Sequence, residues 1–200
     1  AAKDNQGVNA LMLAARSGVA AAVRAALAAG WCELEARAND GSTAFLAACF
    51  KGHVECMQLL AEAGCSTAVI GHNGSNGLML AACSGVAAAV RAVLAGGWCE
   101  LEATSTDGST AFLVACYNAR VESIQLLVEA GCDKAATNNH GVNALMCAAH
   151  SGVAEAVRTA LAAGWCELEA RDSDGSTAFL AACFKGNVEC MQLLAEAGCN

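Results

Sequence analysis

Six glycines mark time along this chain: Gly7, Gly41, Gly74, Gly108, Gly141 and Gly175 follow one another at alternating steps of 34 and 33 residues. A fixed period of that length constrains the fold more than any other feature. Each unit is too short to bury its apolar face alone, so successive units must stack and share a continuous core. The boundaries fall at about 4–37, 38–70, 71–104, 105–137, 138–171 and 172–200. Even units share "DGSTAFL" at Asp40, Asp107 and Asp174, and odd units carry "NALM" at Asn9 and Asn143 or "NGLM" at Asn76. Odd and even units therefore pair into three double repeats of 67 residues.

Every unit has the same local grammar. A turn ending in Gly is followed by a polar cap residue (Asn9, Thr43, Asn76, Thr110, Asn143, Thr177) and a short apolar run. A side-chain oxygen at that place accepts an orphan backbone N–H, which predicts a helix start. The run closes at Gly18, Gly52, Gly85, Gly152 or Gly186, and a second stretch such as "VECMQLLAEAG" continues at helical spacing. Unit four places Ala119 and Arg120 where the others put Gly first; if that site needs positive φ, Ala costs about 1 kcal/mol there. Helices of roughly 8 to 11 residues do not persist alone, so packing between units must hold them.

Over essentially its whole length the chain resembles the ankyrin repeat family. The resemblance is carried by the turn Gly, by "TAFLAAC" or "NALMLAA" where the family has T-P-L-H-x-A-A, by Gly52–Glu55 and by "LLAEAG". The family's Pro is Ala or Gly here. Its His is Leu46, Leu113 and Leu180 or Met12, Met79 and Met146, so an apolar contact is expected in place of the Thr–His hydrogen bonds. The implied fold is a single all-α solenoid of six helix-turn-helix units over 1–200, with short β-hairpin-like connecting turns.

Composition excludes several classes of function. A formal charge of −8 and a pI near 4.9 lack the basic footprint of a nucleic-acid binder. The least charged window, Ser66 to Val90, is broken by "GHNGSNG" and does not read as a membrane span. No phosphate loop, nucleophile elbow, zincin helix or dinucleotide fingerprint is present, so no enzyme and no cofactor is expected. The carboxylate pairs Glu33/Glu35, Glu100/Glu102 and Glu167/Glu169 recur three times on a connecting segment, as surface features do.

Thirteen cysteines raise the question of bridges or metal. One column, Cys32, Cys65, Cys99, Cys132, Cys166 and Cys199, follows the second helix of each unit. At a packing distance of about 8 to 10 Å between units, these Cα atoms lie beyond the ~7 Å limit for a disulfide. They are read as free thiols. Cys49, His53 and Cys56 fall within eight residues, but unit six has Asn187 for the His and unit four has Ser123 for the second Cys, with no C-x-x-C anywhere. Metal is not expected. Reduced cysteines and an N-terminal "AAKDNQG" without a signal peptide's pattern predict an intracellular, cytoplasmic setting.

Differences among near-identical units locate the candidate binding surface. Odd units differ at the turn (Gln6, Asn73, His140) and at the end of the first helix (Arg16, Cys83, His150). Even units place Phe50, Tyr117 and Phe184 at that same helix end, beside Lys51, Asn118 and Lys185. In ankyrin repeats these places line the concave face, and aromatic, Arg and His side chains on a small-residue surface are typical interface anchors. Two readings fit the column: a protein-binding groove, or aromatics that tuck against the neighbouring first helix and seal the stack. A further expectation comes from the terminal units, which lack a polar cap. They suit either a slice of a longer array or end-to-end self-association.

Trp31, Trp98 and Trp165 stand one to each odd unit, in "AAGWCELEA" or, in the middle copy, "AGGWCELEA". They are the extra residue that makes odd units 34 long. Two units separate successive tryptophans by roughly 16 to 20 Å, too far to stack on one another. Each is expected to cover the flank of an adjacent even unit's second helix, a structural role.

Overall fold

A computed structural model describes residues 2–30, 33–165 and 167–199. Among them are twelve α-helices, no strand, and one isolated bridge between Lys3 and Asn9. The helices form two compact blocks. The first, Ala1–Ala103, holds α1 (Ala10–Ser17), α2 (Ala20–Ala28), α3 (Ala44–Lys51), α4 (Val54–Glu62), α5 (Gly77–Ser84) and α6 (Ala87–Gly96). The second, Thr104–Asn200, holds α7 (Ala111–Tyr117), α8 (Val121–Glu129), α9 (Ala144–Ser151), α10 (Ala154–Ala162), α11 (Ala178–Lys185) and α12 (Val188–Glu196).

Every first helix starts where the sequence places its cap. The side chains of Asn9, Thr43, Asn76, Thr110, Asn143 and Thr177 each accept the backbone N–H three residues on, at 2.9 Å for Asn and 3.3 Å for Thr. All six caps are buried, so each bond also satisfies a donor that water cannot reach. Asn9 and Asn76 go further than a Thr can: the amide of each donates to the carbonyl of Glu33 or Glu100, tying the helix start to the segment after the second helix.

Within each block the first helices pack side by side and more closely than the second helices do. Small residues allow this: Ala15, Ala48, Ala81 and Ala82 in the first block and Ala115, Ala148, Ala149 and Ala182 in the second are fully covered. Leu46, Leu113, Met12, Met79 and Met146 are buried, so apolar packing does replace the family's histidine contact. Leu180 is the departure, standing 49 % exposed.

The connecting turns close on themselves rather than extending into strands. Gly41 N–H donates to Ala38 O and Ala38 N–H to Ser42 O, and Gly108, Gly141 and Gly175 close their turns in the same way. Within each block one backbone bond then links a turn to the one before it: Asn39 to Gln6 and His72 to Asp40 in the first, Asn139 to Asp107 and Ser173 to His140 in the second.

The first helix ends in a tight reversal. At Gly52, φ is +71°, and Gly52 and His53 N–H donate back to Cys49 and Ala48 carbonyls. Unit four keeps both bonds, from Ala119 to Cys116 and from Arg120 to Ala115, and Ala119 adopts φ +52° to do so. It is the sole non-glycine at positive φ among the described residues. The sequence's conditional expectation of strain therefore applies.

Salt bridges brace the outer layer. Arg24 on α2 meets Glu55 on α4 at 2.8 Å, and Arg158 on α10 meets Glu189 on α12 at 2.6 Å. Both pairs are exposed, so solvent screening leaves them little weight in stability. Ser123 on α8 has no hydrogen-bond partner for its buried hydroxyl, where units two and six place Cys56 and Cys190.

Candidate functional site

The sequence-predicted column lies at the C-terminal ends of the first helices, with Arg16, Phe50, Tyr117 and Phe184 exposed and Cys83 and His150 half-buried. In the first block Arg16 ends α1, Phe50 and Lys51 end α3, and Cys83 lies near the end of α5. Arg16 and Phe50 border one groove of about 840 Å³, with Gln6 and Asn73 at its turn side. Met12, Leu46 and Leu80 line it from three successive first helices. Cys83 and Lys51 do not line it. Phe50 is 47 % exposed, and the Lys51 ammonium sits 5.4 Å from its ring centroid.

The turn side of this groove carries three further groups: Asn39 and Asp40 of an even turn, and His72 of an odd one. Asn39 is held by a side-chain bond to Asn5 O at 3.3 Å. His72 lies against Gly41, where a Cβ would come within 2.4 Å of the imidazole Cδ2. The Asp40 carboxyl is held below the usual carboxylate range, first by the Ser42 backbone N–H and in small part by the charge of His72. The signal for Asn39 was present in the even turns, which read Ala38-Asn39, Ser105-Thr106 and Asp172-Ser173 at one position pair, and the signal for His72 in the odd turns, which read Asn5, His72 and Asn139.

In the second block the column is arranged differently. Tyr117 at the end of α7 stacks on His150 of α9, with ring centroids 5.0 Å apart and an interplanar angle of 21°. The Tyr117 hydroxyl lies 3.2 Å from His150 Nε2. Partial burial pushes the His150 pKa down, and the charge of Lys185 adds to the effect. Asn118 turns back on its own helix, donating to Val114 O at 2.8 Å. Phe184 on α11 is 84 % exposed, and His140 is exposed on its turn.

Cysteine chemistry is subdued. Cys49, Cys56, Cys65, Cys99, Cys183, Cys190 and Cys199 are free thiols, and among the described residues no three metal-binding side chains converge, Cys49, His53 and Cys56 included. Burial raises the Cys65 thiol to about 11, with the Glu35 carboxylate adding to the shift. Cys49 is pushed up by burial as well. Thiols in this state are poor nucleophiles. Cys32 and Cys166 lie outside the described residues. Among the carboxylate pairs, Glu35 Oε1 accepts the Ser66 N–H at 2.6 Å and so links units one and two.

The tryptophans make a contact that the sequence did not name. The Trp98 ring meets Phe45 of α3 edge-on, centroids 5.5 Å apart at 78°. Trp165 meets Phe112 of α7 in the same way, at 5.1 Å and 69°. After α6 the chain reverses at Gly97, φ +59°, and that reversal carries the indole inward to the first-helix layer. A Cβ at Gly96 would lie 2.4 Å from the Trp98 ring, and one at Gly77 would lie 2.9 Å from Phe45 Cε1. Unit five has Ala144 and Ala163 at these two places, and its Trp165 is buried, 8 % exposed, whereas Trp98 is half-buried. Trp31 lies outside the described residues.

Comparison with known proteins agrees with this architecture. A family profile described as ankyrin repeats (3 copies) matches residues 1–70, 64–138 and 131–200. The chain belongs to the ankyrin repeat family. The ankyrin repeat domain of Bcl-3, described as a unique member of the IkappaB protein family, shares 27 % identity with it. That match covers 98 % of this chain and 89 % of the other, with a TM-score of 0.74. The human ASB11 ankyrin repeat domain is 24 % identical, covers 96 % and 85 %, and superposes with a TM-score of 0.81, a likeness of fold. No curated protein sequence matches. Ankyrin repeat domains are generally protein-interaction modules. Among the described residues no helix is long and apolar enough to cross a membrane.

Proposed function

We propose that this ankyrin repeat protein is a non-catalytic interaction module that captures a protein partner on its concave face, through the helix-end side chains and the turns. The observation that carries the reading is the groove of the first block, where Phe50 stays half exposed above an apolar floor instead of being covered by the next unit. A large apolar side chain left in water beside preformed walls is a ready anchor, and a rigid groove loses little freedom on binding. Tyr117, 51 % exposed, and Phe184 extend the same chemistry to the second block. Free, buried thiols support a reducing, cytoplasmic setting.

The test is affinity capture with the wild type and with a variant carrying Phe50→Ser, Tyr117→Ser and Phe184→Ser. Loss of the captured partner with unchanged circular dichroism supports binding through the column. Loss of folding instead makes the aromatics seals of the stack.

A second reading is favoured by the outer face of α11 and α12, where Leu180 is half exposed although its equivalent Leu46 is 1 % exposed in unit two. An odd unit fits such a face, whether supplied by a second copy or by further repeats. Sedimentation across concentration checks it, and a monomer throughout removes self-association.

A further inference from the structure

The groove of the first block has a chemical polarity that points to one kind of occupant. Its helix-end side is cationic and aromatic, with Arg16 and Phe50 on its border and Lys51 against the Phe50 ring. Neither Arg16 nor Lys51 forms a salt bridge among the described residues. Among the other arginines of the same block, Arg24 is engaged by Glu55 and Arg37 by the carbonyls of Gly41 and Ile70, while Arg91 on α6 forms no salt bridge among the described residues and does not line the groove. The groove's helix-end side thus carries two cations without a salt bridge in a chain with 19 acidic and 11 basic residues. The groove's one acidic side chain, Asp40, stands at the turn end. Thr43 and Phe50 are seven residues apart along α3, so the two ends of the groove are separated by roughly 10 Å.

We infer that this groove takes an extended peptide in which an aromatic or branched apolar side chain lies within a few residues of a carboxylate. The apolar side chain packs on Phe50 over Met12, Leu46 and Leu80, and the carboxylate meets Arg16 and Lys51. At the other end Asn39, His72 and Asn73 offer polar side chains to the peptide's backbone. Arg16 supplies the selective contact because a guanidinium recognises a carboxylate through two parallel N–H donors. Lys51 already sits over Phe50, so it adds charge without further ordering. The cations also lie in the last turns of their helices, where they complement the helix dipole. A role confined to the dipole would affect stability and leave selectivity untouched.

This inference rests on the groove reading above, and one experiment separates the two. Random twelve-residue peptides displayed on phage are selected against the full chain, its Arg16→Gln, Arg16→Glu/Lys51→Glu and Phe50→Ser variants, with circular dichroism confirming each fold. The expected result is enrichment of peptides pairing Asp or Glu with a nearby aromatic or branched residue. Arg16→Gln should weaken the best of them about tenfold, and the double reversal should remove or invert the acidic preference. Enriched peptides that need Phe50 but show no carboxylate preference, or keep it in the reversed variant, overturn the acidic partner and leave the groove standing. Peptides that bind Phe50→Ser undiminished overturn the groove itself, and no enrichment at all overturns the linear-peptide occupant.

Discussion

Replacing Ala119 with Gly should stabilise the protein, and the structure sets how much. Ala119 holds φ +52° so that its own N–H and that of Arg120 can close the end of α7, as Gly52 and His53 do at the end of α3. The two hydrogen bonds match those of unit two to within 0.1 Å, so the substitution need not change them. What changes is the Cβ, which in the left-handed region costs roughly 1–2 kcal/mol. Gly returns about 0.4–1 kcal/mol of that through the greater freedom of its unfolded chain. The net expectation is a gain of roughly 0.5–1 kcal/mol, equivalent to a rise in Tm of about 1–4 °C for a chain of this size. A second contribution has the same sign: a Cβ on Gly52 would lie 2.5 Å from Val86 Cγ2 in the next unit, and Ala119 carries that methyl where Val153 follows. Differential scanning calorimetry measures the global effect. Because repeat arrays often unfold in parts, amide exchange at Arg120 and Val121 should report it locally. Ala119→Val supplies the opposite arm, with a loss above about 1 kcal/mol from a β-branched residue at positive φ. A neutral or destabilising Ala119→Gly, or a tolerated valine, would refute the strain.

Three further outcomes are expected. Ser123→Ala should stabilise by about 1 kcal/mol in urea titration, because it removes a buried hydroxyl without a partner; a loss of stability would mean that the hydroxyl is satisfied. Trp165→Ala should cost about 3–5 kcal/mol and Trp98→Ala less, since Trp98 is the less buried; equal costs would contradict the burial difference, and Gly96→Ala should displace the Trp98 ring, read as a shifted emission maximum. The lowered pKa of His150 makes its contribution to stability complete above about pH 6.5 and progressively lost as pH falls through the lower folded value. Urea midpoints of the wild type should therefore drop between pH 7.5 and pH 5 more steeply than those of His150→Gln, and parallel curves would rule the linkage out.

The sequence made the helix starts legible because a cap is a local event: an Asn or Thr three residues before a free N–H needs no knowledge of the rest of the chain. The strained reversal at Ala119 was legible for a related reason, since five aligned glycines reveal the conformation that the sixth site must share. The tryptophan contact was not legible. Its partner depends on the direction the chain takes after Gly97, and a reversal there sends the ring to Phe45. The groove was half legible. Arg16, Phe50, Gln6 and Asn73 stand out by variation, whereas Met12 and Leu46 read as plain core because a floor and a core have the same composition. Asn39 becomes visible only when the even turns are compared with one another, and His72 when the odd turns are compared one position before Gln6, Asn73 and His140.

Copies as alike as these are prone to misaligned exchange at the level of the gene, and the junction at Phe45 says where such exchange would be tolerated. Gly77 and Gly96 each leave room that an alanine would fill, one for Phe45 and one for Trp98. The copy around Phe112 and Trp165 carries Ala144 and Ala163 instead. A crossover between these two glycines would pair one copy's spacing with the other's ring position, whereas a crossover outside the interval moves both together. The fit is thus made across the seam between one double repeat and the next, with the ring of Phe45 on one side and both glycines on the other.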